Sequence, residues 1–370
     1  MPLVSSLRRT CCAALCGLIF AATLPGAAPA IERASFGRTP AGAEVEQFTL
    51  VNGQGASAKI ITYGAIVADL RIPDRTGRTV GVVREITASP AGFERGFAQS
   101  AAVFGRVANR IALARFELDG ETYQVTPNMG RHHIHGGRLN FSRVVWTPSP
   151  VVTPDGPALE LRYRSPHGEE GFPGNLDVTV TYTLTLSNTL RVEYTATTDR
   201  PTPVNLTNHA FFNLAGTGDV LDHEVTVNAE LYTGAGESLI PNGEIRTVRN
   251  TALDFTSPRA LGARVAQLPA NQRYDHNFVL KRPGGAPSLA FAARVLEPKS
   301  GRTMEVWTTL PGVQFYTSPL GAAAAAGRFG FYCLETQHFP DSVNHAHFPS
   351  TIVRPGSPYR SITEFRFGQR

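Results

Sequence analysis

The sequence predicts an all-β fold built as one large antiparallel sandwich, and three observations carry the prediction. Runs with two-residue alternation or β-branched character recur along the chain, at Ala58–Tyr63, Leu176–Leu186, Arg191–Thr198, Glu224–Val227 and Met304–Leu310. The 35 glycines and 27 prolines are scattered between such runs as turn punctuation, with no collagen-like period. No amphipathic helical pattern longer than about ten residues stands out, and neither an internal repeat nor an interior Pro/Ser-rich linker divides the chain.

Taken in order, the first thirty residues read as an export leader. Arg8 and Arg9 form a positive start, Cys11–Leu24 is apolar, and Ala28-Pro29-Ala30 offers the small residues of a signal-peptidase site. The apolar run is shorter than the roughly 20 residues that span a bilayer, so no permanent membrane anchor is expected. The pair of arginines also leaves a twin-arginine signal open. Cleavage after Ala30 predicts a periplasmic or secreted protein and removes Cys11, Cys12 and Cys16, so Cys333 becomes the only cysteine. A lone cysteine forms no internal disulfide, and stability must come from the core. Leu176–Leu186 (LDVTVTYTLTL) alternates as a half-buried antiparallel strand does, and the run from Leu190 to Thr198 follows Ser187-Asn188 as the second arm of a hairpin. Ala322–Ala326, bounded by glycines, reads as a flexible loop.

Composition excludes several classes. With 42% hydrophobic and 18% charged residues the chain is not mainly disordered. A net charge of +5 without any Lys/Arg run of five gives no nucleic-acid stripe. No phosphate-cradling or dinucleotide motif is present, so no cofactor is expected.

Polar residues concentrate in five segments: Gly105–Arg110, Ile134–Gly137, Val204–His209, Tyr274–Asn277 and Cys333–His338. Three chemistries fit such segments. His133 and His135 would share a face of one strand and could chelate a metal, but no HExxH pattern or nearby carboxylate completes a ligand set, so no metal is expected. Asp275 and Glu335 could be the two carboxylates of a glycosidase. A sugar-binding protein without chemistry is the third option, since planar polar groups bracket vicinal hydroxyls and aromatic rings cover the apolar face of a sugar.

Eight segments, in order, resemble the aldose 1-epimerases, the galactose mutarotases. They are FGRVANRI (Phe104–Ile111), RFELDGETYQ (Arg115–Gln124), HIHGG (His133–Gly137), GEEGFPGNL (Gly168–Leu176), PTPVNLTNHAFFNLAG (Pro201–Gly216), YDHNFVL (Tyr274–Leu280), PGVQFYT (Pro311–Thr317) and CLETQHFPDSVNHAHFPS (Cys333–Ser350). The resemblance implies a single galactose-mutarotase-type sandwich over residues 31–370, with a free aldohexose on its concave face. It implies His209 as general acid and Glu335 as general base, with Asn109, Arg110, His135, Asp275 and Gln314 binding sugar. The chain departs from the family pattern at Val82–Ile86, at Ala210 and across Gly321–Gly330, which bears on substrate preference and loop closure.

The residue chemistry agrees with that assignment. Anomer exchange opens a hemiacetal: a base takes the C1 hydroxyl proton, an acid protonates the ring oxygen, and reclosure follows rotation about C1–C2. A carboxylate is ionised at neutral pH, and an imidazole donates more readily when a carboxylate such as Asp275 raises its pKa. Glu335 beside Leu334 and Cys333 is expected to be partly buried, which would raise its pKa. Arg110 reads equally as a sugar-hydroxyl fork and as the group that holds Glu335 or Asp275. Phe211 reads as sugar platform or core, and His135 as a residue whose following glycines let backbone approach a ligand. A non-catalytic sugar binder and a hexose-6-phosphate epimerase remain the alternatives, the second needing arginines such as Arg106, Arg131 or Arg138 at the mouth of the site.

Overall fold

The computed structural model describes residues 28–268, 273–282, 284, 288–319 and 328–370. The expected leader, up to residue 27, and Ala322–Ala326, expected from sequence to be a flexible loop, lie outside these. Among the described residues every strand ladder is antiparallel, and the only α-helix is the six-residue Pro90–Arg95. No helix among them is long and apolar enough to cross a membrane.

Three sheets build the architecture. A meander of five strands, from Ala30–Arg38 to Thr79–Gly81, opens the chain. A nine-stranded sheet has the four consecutive strands from Thr147–Thr153 to Thr189–Thr198 on one side. The C-terminal strand Tyr359–Gln369 then lies between Thr189–Thr198 and Arg302–Thr308. A second five-stranded sheet runs in the order Pro241–Thr247, Leu231–Ala235, Asp275–Val279, Gly312–Pro319, Phe329–Gln337.

The predicted strands form, each within two residues of its expected start. The hairpin pairs Leu176 with Thr198 and Leu184 with Leu190, and Asn188 takes the left-handed turn position at φ 57°. Asparagine tolerates that conformation because its short amide bonds locally. Val178, Val180 and Tyr182 point inward while Asp177 is exposed, as the alternation requires.

All three sheets contribute to one apolar core. Leu50 and Leu70 come from the first sheet, Leu161 and Val192 from the second, and Phe278 and Phe315 from the third. Burial at roughly 25 cal/mol per Å² of apolar surface makes this core the main stabilising term, with no disulfide among the described residues to supplement it. Cys333, the sole free cysteine among the described residues, is fully buried as a small apolar group.

Two-residue periodicity in the third sheet decides what faces the core and what faces the site. Phe278, Val313, Phe315 and Leu334 point to the core. Asp275 pairs with Tyr316 and Tyr316 with Cys333; one row along, Asn277 pairs with Gln314 and Gln314 with Glu335. These positions differ by two along each strand, so they all share the opposite face.

Candidate active site

Glu335 projects from near the C-terminal end of the strand Phe329–Gln337 and is only 2% exposed. His209 follows the short strand Thr207–Asn208, which pairs with Val103–Phe104. The neighbouring asparagines tie the strand ends together. Asn208 Nδ2 donates to Ala101 O and Tyr182 Oη, and Asn205 Nδ2 donates to Ala108 O and His338 O. His209 is thereby left free of structural duty in its side chain. Its Nε2 lies 3.4 Å from Glu335 Oε1, while His209 Nδ1 and Glu335 Oε2 are buried without a partner. The two groups do not flank a ring-sized gap; they stand side by side. That suffices for a hemiacetal, whose ring and hydroxyl oxygens sit on one carbon.

The remaining residues named from sequence converge around this pair. Arg110 Nη2 lies 3.3 Å from Asp275 Oδ2, Arg110 Nη1 donates to Asn109 Oδ1 at 3.1 Å, and Gln314 Nε2 donates to Asp275 Oδ1 at 2.6 Å. Arg110 does hold a carboxylate, that of Asp275, while its Nε is buried without a partner among the described residues, so the contact with Asp275 does not decide between its two readings. Asn109 and His135 are locked reciprocally: His135 N donates to Asn109 O, and Asn109 N donates to His135 Nδ1 at 3.2 Å. Phe211 stacks on His209 at 4.8 Å between centroids and 12° between planes. It is buried and also lines the cavity with His209, so it is wall and packing partner together.

Some expectations are corrected. His133 and His135 do not share a strand face. The strand ends at Ile134, His135 turns to φ 53°, and His133 is fully buried with Nδ1 2.8 Å from Thr126 O. The glycine after His135 serves a close backbone approach within the protein, since a Cβ on Gly136 would sit 1.7 Å from Gly105 O. Arg106 is not at the mouth. It is buried, and its guanidinium donates to Ser165 Oγ and to the carbonyls of Ser165, Pro166, Pro173 and Gly174.

The pKa directions follow burial. Desolvation pushes the Glu335 carboxyl well above the usual carboxylate range, Asp275 adding to the rise and Arg110 opposing it. Desolvation lowers His209 to about 4, against a smaller rise from its backbone hydrogen bond and from Asp275. The expected help from Asp275 therefore exists but is outweighed, because an imidazolium loses its hydration when buried. His135 is held well below its ordinary value, by burial and by the neighbouring His209 and Arg110.

The ligand atoms of His135, His209 and Glu335 lie within 4.8 Å of one another, a spacing that three ligands of a metal ion would share. The donor set argues for a hydroxyl instead. With Nδ1 accepting from Asn109 N–H, neutral His135 carries its proton on Nε2, so that nitrogen is a donor and offers no lone pair.

A cavity of about 310 Å³ opens over His209, lined also by Phe104, Phe211, His135, Asn140 and Gln99. Phe104 is a site residue the sequence reading passed over, with its ring 4.7 Å from that of His135 and 5.4 Å from that of His209. Tyr316 is another, 6.2 Å from the His209 ring. A signal existed for Tyr316: it stands two residues from Gln314 on one strand and therefore shares its face.

Residues 46–366 match the family model described as aldose 1-epimerase. The chain belongs to the aldose 1-epimerase family. It is 43% identical to the galactose mutarotase of Bos taurus over 91% of this chain and 98% of that one. It is 34% identical to the aldose 1-epimerase of Escherichia coli K12 over 89% and 96% of the two chains. Among solved structures, an aldose epimerase homologue from C. elegans superposes with a TM-score of 0.76 at 29% identity, covering 85% of this chain and 96% of that one. The galactose 1-epimerase of Lactobacillus acidophilus shares the fold at a TM-score of 0.79 and 23% identity, covering 92% and 99%. The enzyme is an isomerase that interconverts the anomers of aldoses.

Proposed function

We propose that the enzyme exchanges the α and β anomers of free aldohexoses such as galactose and glucose, with His209 as general acid and Glu335 as general base. The observation that carries this reading is the 3.4 Å approach of His209 Nε2 to a nearly inaccessible Glu335 carboxylate. One proton serves the pair. With a cyclic sugar bound, protonated His209 gives its proton to the ring oxygen as Glu335 takes the C1 hydroxyl proton, and the C1–ring oxygen bond breaks to give the aldehyde. The proton has then moved from His209 to Glu335 through the sugar. After rotation about C1–C2, Glu335 returns its proton to the aldehyde oxygen, His209 takes one from the C5 hydroxyl, and the ring recloses. Raised Glu335 and lowered His209 pKa values both favour the neutral forms, which is the protonation state of the open-chain intermediate. Each partner of such a pair typically contributes about 10²–10⁴-fold.

The other residues hold this arrangement. Asp275, fixed by Arg110 and Gln314, presents a carboxylate edge for sugar hydroxyls, and Asn109 fixes His135 as an Nε2–H donor. Phe211 backs the acid and Phe104 offers an apolar face. The direct test is polarimetry on freshly dissolved α-D-galactose and α-D-glucose: the protein should accelerate the approach to the equilibrium rotation, and a rate equal to the spontaneous one for both sugars would refute the reading.

The leader-like first thirty residues support export to the periplasm or medium, with residues 31–370 as the functional domain. Mass spectrometry of exported protein should find Ile31 at its N-terminus; an intact, cell-retained chain would count against export.

A further inference from the structure

Gln99 borders the same cavity as His209 and Phe211 and has no part in the acid–base pair. Its backbone lies at φ 53°, a left-handed conformation uncommon for a residue with a long side chain. Its amide is held at both ends. Oε1 accepts from Arg84 Nη1, and Nε2 donates to Ser318 Oγ. Arg84 is anchored to the site by its backbone N–H, which donates to Phe211 O at 2.9 Å, and Ser318 sits on the strand that bears Gln314 and Tyr316. A carboxamide offers two N–H donors and two oxygen lone pairs. The two bonds use one of each and fix which end points where, which leaves one donor and one acceptor without a partner among the described residues, at a half-buried position on the cavity wall.

We infer that Gln99 is a specificity-determining contact of the sugar site. Its free N–H and lone pair bracket an aldose hydroxyl other than the anomeric one. This rests on the acid–base reading above: His209 and Glu335 occupy the ring oxygen and the C1 hydroxyl, so a residue elsewhere on the wall meets the remaining hydroxyls. Because those hydroxyls are the ones that distinguish one aldose from another, Gln99 acts on selectivity and not on proton transfer.

The test compares Gln99→Met, which keeps the volume and loses the hydrogen bonds, with wild type on D-galactose, D-altrose and D-xylose. No hydroxyl other than the anomeric one is common to all three, because altrose inverts C2 and C3, galactose inverts C4 and xylose lacks C6. Gln99→Asn, a residue better suited to positive φ, keeps the chemistry but shortens its reach. A neutral hydrogen bond to substrate corresponds to roughly a 2–10-fold change. KM should rise by that factor for the sugars that carry the bracketed hydroxyl and by a smaller factor for any that lacks it, with kcat within twofold and the pH profile unmoved. An equal rise for all three sugars would mark Gln99 as a structural brace, and no rise in either variant would remove it from the site; both outcomes overturn the assignment. A wild-type protein that accelerates none of the three would instead sink the acid–base reading, so the two failures are distinguishable.

Discussion

Replacing Asp275 by Asn tests how the site holds its charges. The Arg110–Asp275 pair is 3.3 Å apart, with side chains 10% and 11% exposed. At an effective dielectric of about 20, two unit charges at that distance attract by roughly 5 kcal/mol. Removing one partner leaves a guanidinium in a site with little water, and one-sided breakage of a buried pair typically costs about 3–5 kcal/mol. Asp275→Asn should therefore lose about that much stability in urea unfolding at pH 7. The double substitution Arg110→Met with Asp275→Leu should recover much of the loss, because no uncompensated charge remains. The same change acts on the acid–base pair. Asp275 raises both Glu335 and His209, so its removal should move both limbs of the pH–rate profile toward acid. A single variant that unfolds within about 1 kcal/mol of wild type, well under the magnitude expected for a buried pair, would show that Asp275 is not what holds Arg110. A profile that moves toward base would show that its field on the pair has been misassigned.

Other outcomes follow from the same geometry. Glu335→Gln and His209→Asn should each lower kcat by about 10²–10⁴-fold while thermal unfolding stays cooperative, and a near-normal rate in either removes that residue from proton transfer. The profile of kcat/KM should be bell-shaped, with the acid limb near 4, where His209 takes a second proton onto the pair, and the alkaline limb above the ordinary carboxylate range, where the pair loses its one proton. His223 is buried and His338 half-buried, desolvation lowers both to about 4, and His223 Nε2 accepts from Leu214 N, which requires a neutral ring. Their folded values lie below the unfolded value of about 6.5, so the stability they permit is present above that pH and is lost as pH falls toward 4. The loss amounts to about 2 kcal/mol per ring between pH 7 and 5. Urea midpoints that do not move over that interval, with ring resonances showing charged imidazoles in the folded protein, would contradict this.

How much of this was legible in the sequence depends on whether a feature is local. Period-two alternation in Leu176–Leu184 and the asparagine turn at Asn188 dictate a hairpin wherever the chain folds, because each residue's face follows from its neighbours. The resemblance of eight ordered segments to the aldose 1-epimerases implied His209 and Glu335 as acid and base without any coordinates. What local pattern could not reach was register between distant strands. Only the pairing of Asn277 with Gln314 and Gln314 with Glu335 gathers these side chains, and only the crossing of the Thr207–Asn208 segment brings His209 to 3.4 Å from Glu335.

The sequence by itself determined the β class, the hairpin and the chemically dense segments, since these depend on residue chemistry and on periodicities of a few residues, while the roles of His209 and Glu335 entered through the resemblance to the aldose 1-epimerases. Tertiary structure alone decided that Arg110 holds Asp275, that Arg106 is a buried brace, that His135 leaves its strand as a hydrogen-bond donor, and that His209 is pushed toward neutrality. Each of these is set by desolvation and by partners far away in the chain, and those exist only once the sheets have packed.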